Sequence, residues 1–194
     1  MSPLTRAGAT RCLASRLTNE VVVSNLGQAS LDLLAIADRP LNCYTFGAMG
    51  QCSSIGLGIA IGRPDVRVIC LDGDGSLLMN LGGLTTLARY RPRNLVHVVF
   101  DNESLLSVGG FPTATATGSD LAAIAKGAGV PRTVTVAALE EFRAGFAAAQ
   151  QAGDLTTLVA KVEAVGPAGY VTDLSLLENR YQFARHLKDL TPEA

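Results

Sequence analysis

Val66-Arg67-Val68-Ile69-Cys70-Leu71-Asp72-Gly73-Asp74-Gly75-Ser76 is a β-branched, apolar run that stops at a turn rich in Gly and Asp. Immediately after it, Leu77, Leu81, Leu84 and Ala88 recur at intervals of four, three and four, the spacing of one helix face. A strand, a tight turn and a helix therefore follow one another within two dozen residues. The same alternation extends outward. Val21 to Val23, Leu41 to Phe46, Leu95 to Phe100 and Thr156 to Val162 read as further strands, with helical spacing between them. Near-continuous apolar strands such as Asn94 to Phe100 are expected where helices cover both faces of a parallel sheet, with right-handed crossovers between strands. The fold class is α/β: a doubly wound, mostly parallel sheet with helices on both faces.

The 194 residues suit one principal domain, placed at 1–165, with an extension carrying a helix at 166–194 beyond Gly166-Pro167-Ala168-Gly169. The apolar stripe of that last helix (Leu174, Leu177, Tyr181, Phe183, Ala184, Leu187) is loose. It fits packing on this domain or on a partner equally well. Sixteen Lys and Arg against seventeen Asp and Glu give a net charge of −1, so no basic surface calls for nucleic acid. No apolar stretch approaches the roughly twenty residues of a membrane span. The first twenty residues contain three arginines and no apolar run of seven or more, so no secretory signal is expected and the location is read as cytoplasmic. The four cysteines form no C-x-x-C pair and have no neighbouring His; reduced thiols are expected, not a zinc site.

Ligands of open α/β sheets bind beyond the carboxyl ends of the strands. Four turns lie there: Ser24 to Ser30, Gly47 to Gly50, Asp72 to Ser76 and Asp101 to Ser104. In the third, the glycines flanking Asp74 let backbone approach a ligand, and Ser76 opens a helix, a favourable place for phosphate. Asp74 itself repels phosphate, which a hard cation such as Mg²⁺ between the two would resolve. A plain helix cap by Asp74 explains the same residues. Elsewhere, Gly56 to Gly62 has the wrong spacing and place for a dinucleotide fingerprint. Asn102-Glu103-Ser104 is an idle sequon without a secretory signal. His97 reads as a core residue, His186 as exposed, and no Ser-His-Asp triad stands out.

Asn102 follows Gly75 after 26 intervening residues, the length of one helix and one strand. With Gly73-Asp74-Gly75 this resembles the thiamine diphosphate enzymes, in which Gly-Asp-Gly is followed about 25 to 30 residues later by Asn. The resemblance implies that Asp74 and Asn102 hold Mg²⁺ through their side chains and Ser104 through its carbonyl. It further implies that Gly73, Gly75 and Ser76, with Gly27, Gln28 and Ala29 of the first turn, lie by the diphosphate, and that Leu105 and Leu106 line the cofactor. Met49 before Gly50, at the start of a long helix, would prop the bent cofactor, with the Gly47 carbonyl accepting from the aminopyrimidine; an ordinary core Met is the alternative. More closely, Gly47 to Ala60, Gly73 to Gly82, Asp101-Asn102 and Ser107 to Thr113 are similar to the phosphonopyruvate and sulfopyruvate decarboxylase group. The likeness runs from about residue 7 to 163. Glu103 and Phe111 depart from it, standing where that group usually has Gly and commonly has Gln.

The resemblance implies a 2-oxo acid decarboxylase releasing CO₂ and an aldehyde; a carboligase like acetolactate synthase or a non-catalytic regulatory subunit are its alternatives. The superfamily's activating Glu comes from a separate pyrimidine-binding domain, and Glu20, Glu140, Glu141, Glu163 and Glu178 stand in no matching context. A partner subunit is expected to supply it, in an α2β2 or larger heteromer. No Arg cluster lies near Glu103 to Thr113, so recognition of an acidic substrate is expected mainly from that partner. The apolar stretch Met49 to Ile61 is the candidate interface helix, or else a central buried one.

Overall fold

The structure is a computed structural model describing residues 3–25, 27–167, 169 and 175–191. Its sheet has the order β2-β1-β3-β4-β8-β7, formed by β1 (Val21–Asn25), β2 (Asn42–Thr45), β3 (Val68–Gly73), β4 (Leu95–Asp101), β7 (Arg132–Val136) and β8 (Thr156–Lys161). All of its pairings are parallel. The chain leaves β1 toward one edge and returns to build β3 and β4 on the other side. The strand order thus reverses between β1 and β3, where a doubly wound sheet opens a crevice at its carboxyl rim.

Alternation along the strands divides the core into two layers. Val22, Ile69, Leu71, Val96, Val98 and Phe100 pack with α1 (Arg6–Ala14), α2 (Gln28–Ala37) and α7 (Leu139–Gln151). Val21, Val23, Val68, Cys70, Leu95 and Val99 meet α3 (Cys52–Gly62), α5 (Gly82–Tyr90), α6 (Leu121–Gly127) and α8 (Leu176–Asp189) on the other face. Burial on both faces is why these strands are apolar without interruption.

Three details differ from the sequence reading. The helix expected after Gly75 is two pieces, α4 (Asp74–Leu78) and α5. The break lies where Asn80 turns its amide away to donate to the Gly50 carbonyl at 2.9 Å, just ahead of the flexible Gly82-Gly83. Met49 does not start a helix: α3 begins at Cys52, and Met49 sits in the preceding turn. Strand β7 went unread because its Arg-Thr-Val-Thr-Val sequence, mostly exposed at a sheet edge, lacks an apolar run.

The C-terminal helix lies on this domain. Asn179 of α8 donates to the Asn42 carbonyl at 2.9 Å and accepts from the Tyr44 N–H at 3.2 Å, along the free edge of β2. Phe183 is buried beneath it, whereas Leu177 and Tyr181 of the expected stripe are exposed and Leu174 falls outside the described residues. All four cysteines are free thiols, and among the described residues no helix is long and apolar enough to cross a membrane.

Helix α3 is not covered on all sides. Gly56, Leu57 and Ala60 are buried, while Gly58 and Ile61 are exposed. A Cβ at Gly56 would stand 2.1 Å from Cys70 Sγ, but one at Gly58 would meet nothing within 4 Å. Gly56→Ala is expected to destabilise the chain by about 1–3 kcal/mol through overpacking. Gly58→Ala should stabilise it by roughly 0.5–1 kcal/mol through helix propensity. Urea unfolding of the two variants measures both.

Candidate functional site

The carboxyl ends of β1, β3 and β4 enclose a cavity of about 120 Å³. Its wall includes Gln28, Ala29, Met49, Gly73, Asp74, Gly75, Ser76, Asn102, Ser104, Leu105 and Leu106, so eleven of the thirteen expected site residues meet there. Gly27 is the N-cap of α2 at φ +94°, and Gly47 is exposed at φ +77°; neither forms part of the cavity wall. At this size the cavity takes only part of an organic ligand, since whole-ligand sites run to about 300–1,000 Å³.

Hydrogen bonds tie the turns to one another. Gly50 N–H donates to Ser76 Oγ at 2.9 Å, and its carbonyl accepts from Asn80, so the Met49-Gly50 turn is held against α4 from both sides. Gly50 has φ +78°, and a Cβ there would lie 3.0 Å from the Asn80 Cβ, which leaves glycine as the residue that fits. Met49 is half-buried in the cavity wall and belongs to neither core layer, which argues against an ordinary core role.

The segment after β4 folds over the cavity. Ser104-Leu105 (β5) pairs antiparallel with Phe111-Pro112 (β6). Leu105 covers Gly75 so closely that a Cβ on that glycine would lie 2.3 Å from the leucine Cδ2, and Ser107 Oγ approaches the Cβ position of Gly27 to 2.9 Å. Asn102 accepts from the Ser104 N–H at 3.1 Å, bending the chain so that both residues line the cavity. Between them Glu103 adopts φ +59°, a left-handed conformation costly for any residue with a Cβ. Lys161 ion-pairs with both the Glu103 and the Asp101 carboxylates and holds this residue in place. Burial works against the Lys161 charge, but hydrogen bonds to Glu103 and Asp101 outweigh it and raise its pKa. Phe111 of β6 is exposed.

Asp74 is buried. Its carboxylate accepts from Thr113 at 2.6 Å and has Thr115 at 3.2 Å, while Thr115 donates to Asp101 at 2.8 Å. Desolvation raises the Asp74 pKa above the ordinary carboxylate value, the negative Asp101 adds to this, and the threonine hydroxyls oppose it. A buried carboxylate beside a second one is unfavourable alone and favourable with a cation. Its donor set, carboxylate plus amide and carbonyl oxygens, is the hard-oxygen set of Mg²⁺. Two orphaned amide oxygens complete the picture. Asn25 Oδ1 and Gln28 Oε1 are buried at this cavity without a hydrogen-bond partner among the described residues. Since amide oxygen and nitrogen are interchanged by a flip, both are poised to donate to an anion as well.

Other reactive groups do not compete. His97 is wholly buried, with Nε2 3.4 Å from Asp72 Oδ2. Burial pushes Cys43 up to about 11 and Cys52 above its normal value, so neither is a ready nucleophile. The sequence reading missed Asn25, Thr115, Lys161 and Arg6. Asn25 lay within a turn already singled out, whereas the others reach the site through tertiary contacts that leave no local pattern.

The family model described as "Thiamine pyrophosphate enzyme, C-terminal TPP binding domain" matches residues 26–160. Sulfopyruvate decarboxylase subunit beta of Methanocaldococcus jannaschii is 43% identical over 142 residues, 73% of this chain and 74% of that one. Phosphonopyruvate decarboxylase of Streptomyces viridochromogenes is 38% identical over 157 residues, 81% of this chain but 39% of that one. The fold is shared with the thiamine diphosphate-dependent 4-hydroxybenzoylformate decarboxylase of Rhodococcus jostii, with a TM-score of 0.70 and 24% identity, over 84% of this chain and 33% of that one.

A carboxyl whose pKa is higher in the folded than in the unfolded chain binds its proton more readily in the fold. The Asp74 contribution therefore destabilises the metal-free chain as pH rises through the window between the two values, and this penalty is relieved as pH falls. Asp74→Asn, which keeps an acceptor for Thr113, is expected to raise the metal-free Tm by a few degrees at neutral pH. It should also flatten the Tm profile just above the ordinary carboxylate range. Calorimetric scans across pH measure both effects.

Proposed function

Because the chain belongs to the C-terminal TPP binding domain family of thiamine pyrophosphate enzymes, we propose that it is the diphosphate-binding subunit of a two-subunit, Mg²⁺-dependent 2-oxo acid decarboxylase. The observation that carries this reading is the meeting of Asp74, Asn102 and Ser104 with the Gly75-Ser76 helix start in one cavity. Similarity to the sulfopyruvate and phosphonopyruvate decarboxylases favours CO₂ release over carboligation.

When bound, thiamine diphosphate supplies the carbon nucleophile and electron sink that decarboxylation of a 2-oxo acid requires. The chain's own residues bind and orient. Asp74 and Asn102 side chains and the Ser104 carbonyl would hold the metal, whose charge offsets the buried carboxylate. Gly73, Gly75, Ser76, Gly27, Gln28 and Ala29 would surround the diphosphate, with N–H groups at the helix starts. Met49 would brace the cofactor, Gly47 would offer its carbonyl to the aminopyrimidine, and Leu105 and Leu106 would exclude water from one side.

No glutamate is among the described residues lining the cavity. We assign the activating carboxylate to a pyrimidine-binding partner, on a separate subunit as the name of the M. jannaschii relative suggests, in an α2β2 or larger assembly. Exposed Ile61 on α3, and exposed Val108 and Phe111 on the segment over the cavity, are apolar side chains available for contact with it. The four free thiols suit a reducing, cytoplasmic compartment.

Mixing the chain with its partner, thiamine diphosphate and Mg²⁺, then measuring CO₂ from a panel of 2-oxo acids, tests the proposal. Activity is expected only with both proteins present, and Asp74→Ala should abolish Mg²⁺-dependent cofactor binding in calorimetry. Unchanged cofactor affinity in that variant overturns the metal assignment. A ligated product on adding an aldehyde would make the enzyme a carboligase instead, and a partner fully active alone would make this chain regulatory. Gly58→Lys, at an exposed position where a Cβ meets nothing within 4 Å, should lower the assembled mass in light scattering; an unaffected complex removes α3 from the interface.

A further inference from the structure

The cavity has two chemically different walls. One, from the ends of β3 and β4, carries Asp74, Asn102 and Ser104 and suits a cation. The other is built by α1, β1 and α2, and contains Arg6, Asn25 and Gln28. Arg6 is the single cationic side chain among the described residues lining the cavity. It lies outside the 26–160 span of the family match and far from any motif.

Arg6 is 4% exposed. Its Nε donates to Asp32 at 2.6 Å and its Nη2 to the Val165 carbonyl at 3.3 Å, fixing the guanidinium plane from two sides. Nη1 is left without a protein partner among the described residues. Asn25, 6% exposed, and Gln28 place their orphaned amides in the same wall. Helix α2, ten residues long, begins here with Gly27 as N-cap and no side chain capping its first N–H groups. Two buried amide oxygens lacking partners and an uncapped helix start are each costly alone, and the Arg6 guanidinium lies in the same wall. With the two amides flipped to present their N–H groups, one oxyanion could accept from them, from the Arg6 guanidinium and from the helix start together.

We propose that Arg6, positioned by Asp32, binds the terminal phosphate of the cofactor's diphosphate, with Asn25 and Gln28 beside it as donors. The inference rests on the reading of this cavity as a diphosphate site. Arg6 thereby brings the N-terminal helix into the binding machinery. The Asp32 carboxylate aims the guanidinium, and because it offsets the charge, the gain on binding comes from directed hydrogen bonds more than from net attraction.

Calorimetric titration of the full chain with inorganic pyrophosphate plus Mg²⁺ is the test. Arg6→Gln alone removes the ion pair of the buried Asp32, so the informative variant is the double substitution Arg6→Gln with Asp32→Asn, a neutral pair of similar shape. Pyrophosphate affinity is expected to fall roughly 10- to 100-fold, the range for one hydrogen bond to a charged group. Inorganic phosphate plus Mg²⁺ should bind weakly to the wild-type chain and to the variant. Arg6→Lys keeps the charge but cannot pair with Asp32 and reach the anion together, so it should still lose several-fold. Unchanged pyrophosphate affinity in either folded variant overturns the proposal and leaves Arg6 a strut between α1 and α2. A rise in the KM for acidic 2-oxo acids without loss of pyrophosphate affinity overturns it too, by assigning the wall to substrate. If the wild-type chain binds no Mg²⁺-pyrophosphate, the diphosphate reading of the cavity fails first, an outcome distinct from the others.

Discussion

The register of β3 between β1 and β4 is the constraint on which the rest depends. Ser24 pairs with Leu71, and Gly73 with Phe100, so three strands end within a residue or two of a common level. Asn25, Asp74 and Asn102 each follow directly from that level. A slip of one residue in either ladder would turn every side chain to the opposite face, exchange the two core layers and withdraw the rim residues. The apolar strands are thus more than ballast: Val68 to Leu71 must be buried on both faces for Asp74 to sit where it does.

At that rim, the fold tolerates an arrangement it would avoid elsewhere. Asp74 and Asp101 are both buried and share the Thr113-Thr115 hydroxyl pair, and Lys161 balances only Asp101 and Glu103. The left-handed Glu103 adds backbone strain at the same point. Such costs persist when the surrounding structure over-determines them, as the β5-β6 pair and the Lys161 contacts do here. The site is consequently stiff in its scaffold and electrostatically incomplete.

Legibility followed locality. Val66 to Ser76 exposed strand, turn and helix start because a parallel strand must be continuously apolar and the turn after it must contain small residues. The 26 residues between Gly75 and Asn102 placed both at one rim because a helical crossover, here α4 and α5, and one strand return the chain to the same edge of the sheet. By contrast, the break between α4 and α5 depends on Asn80 finding Gly50, thirty positions earlier, and no local pattern announces such a bond. Strand β7 hid behind its polar edge residues, and Met49 was read into a helix that starts three residues later. Arg6 and Lys161 reach the rim from opposite ends of the chain. Their contributions become visible only once α1 and β8 are placed beside it.

The amide of Asn179 has a consequence for how this sheet can grow. By donating to the Asn42 carbonyl and accepting from the Tyr44 N–H, one side chain imitates the backbone of a neighbouring strand. Helix α8 thereby acts as a stopper, covering polar groups of β2 that would otherwise template an added chain. The opposite border, β7, has no such stopper among the described residues and relies on Arg132 and its threonines for protection. Extension of the sheet by strand addition, whether by a designed fusion or in aggregation, is therefore directed to the β7 side, away from the strands β1, β3 and β4 that bear the cavity.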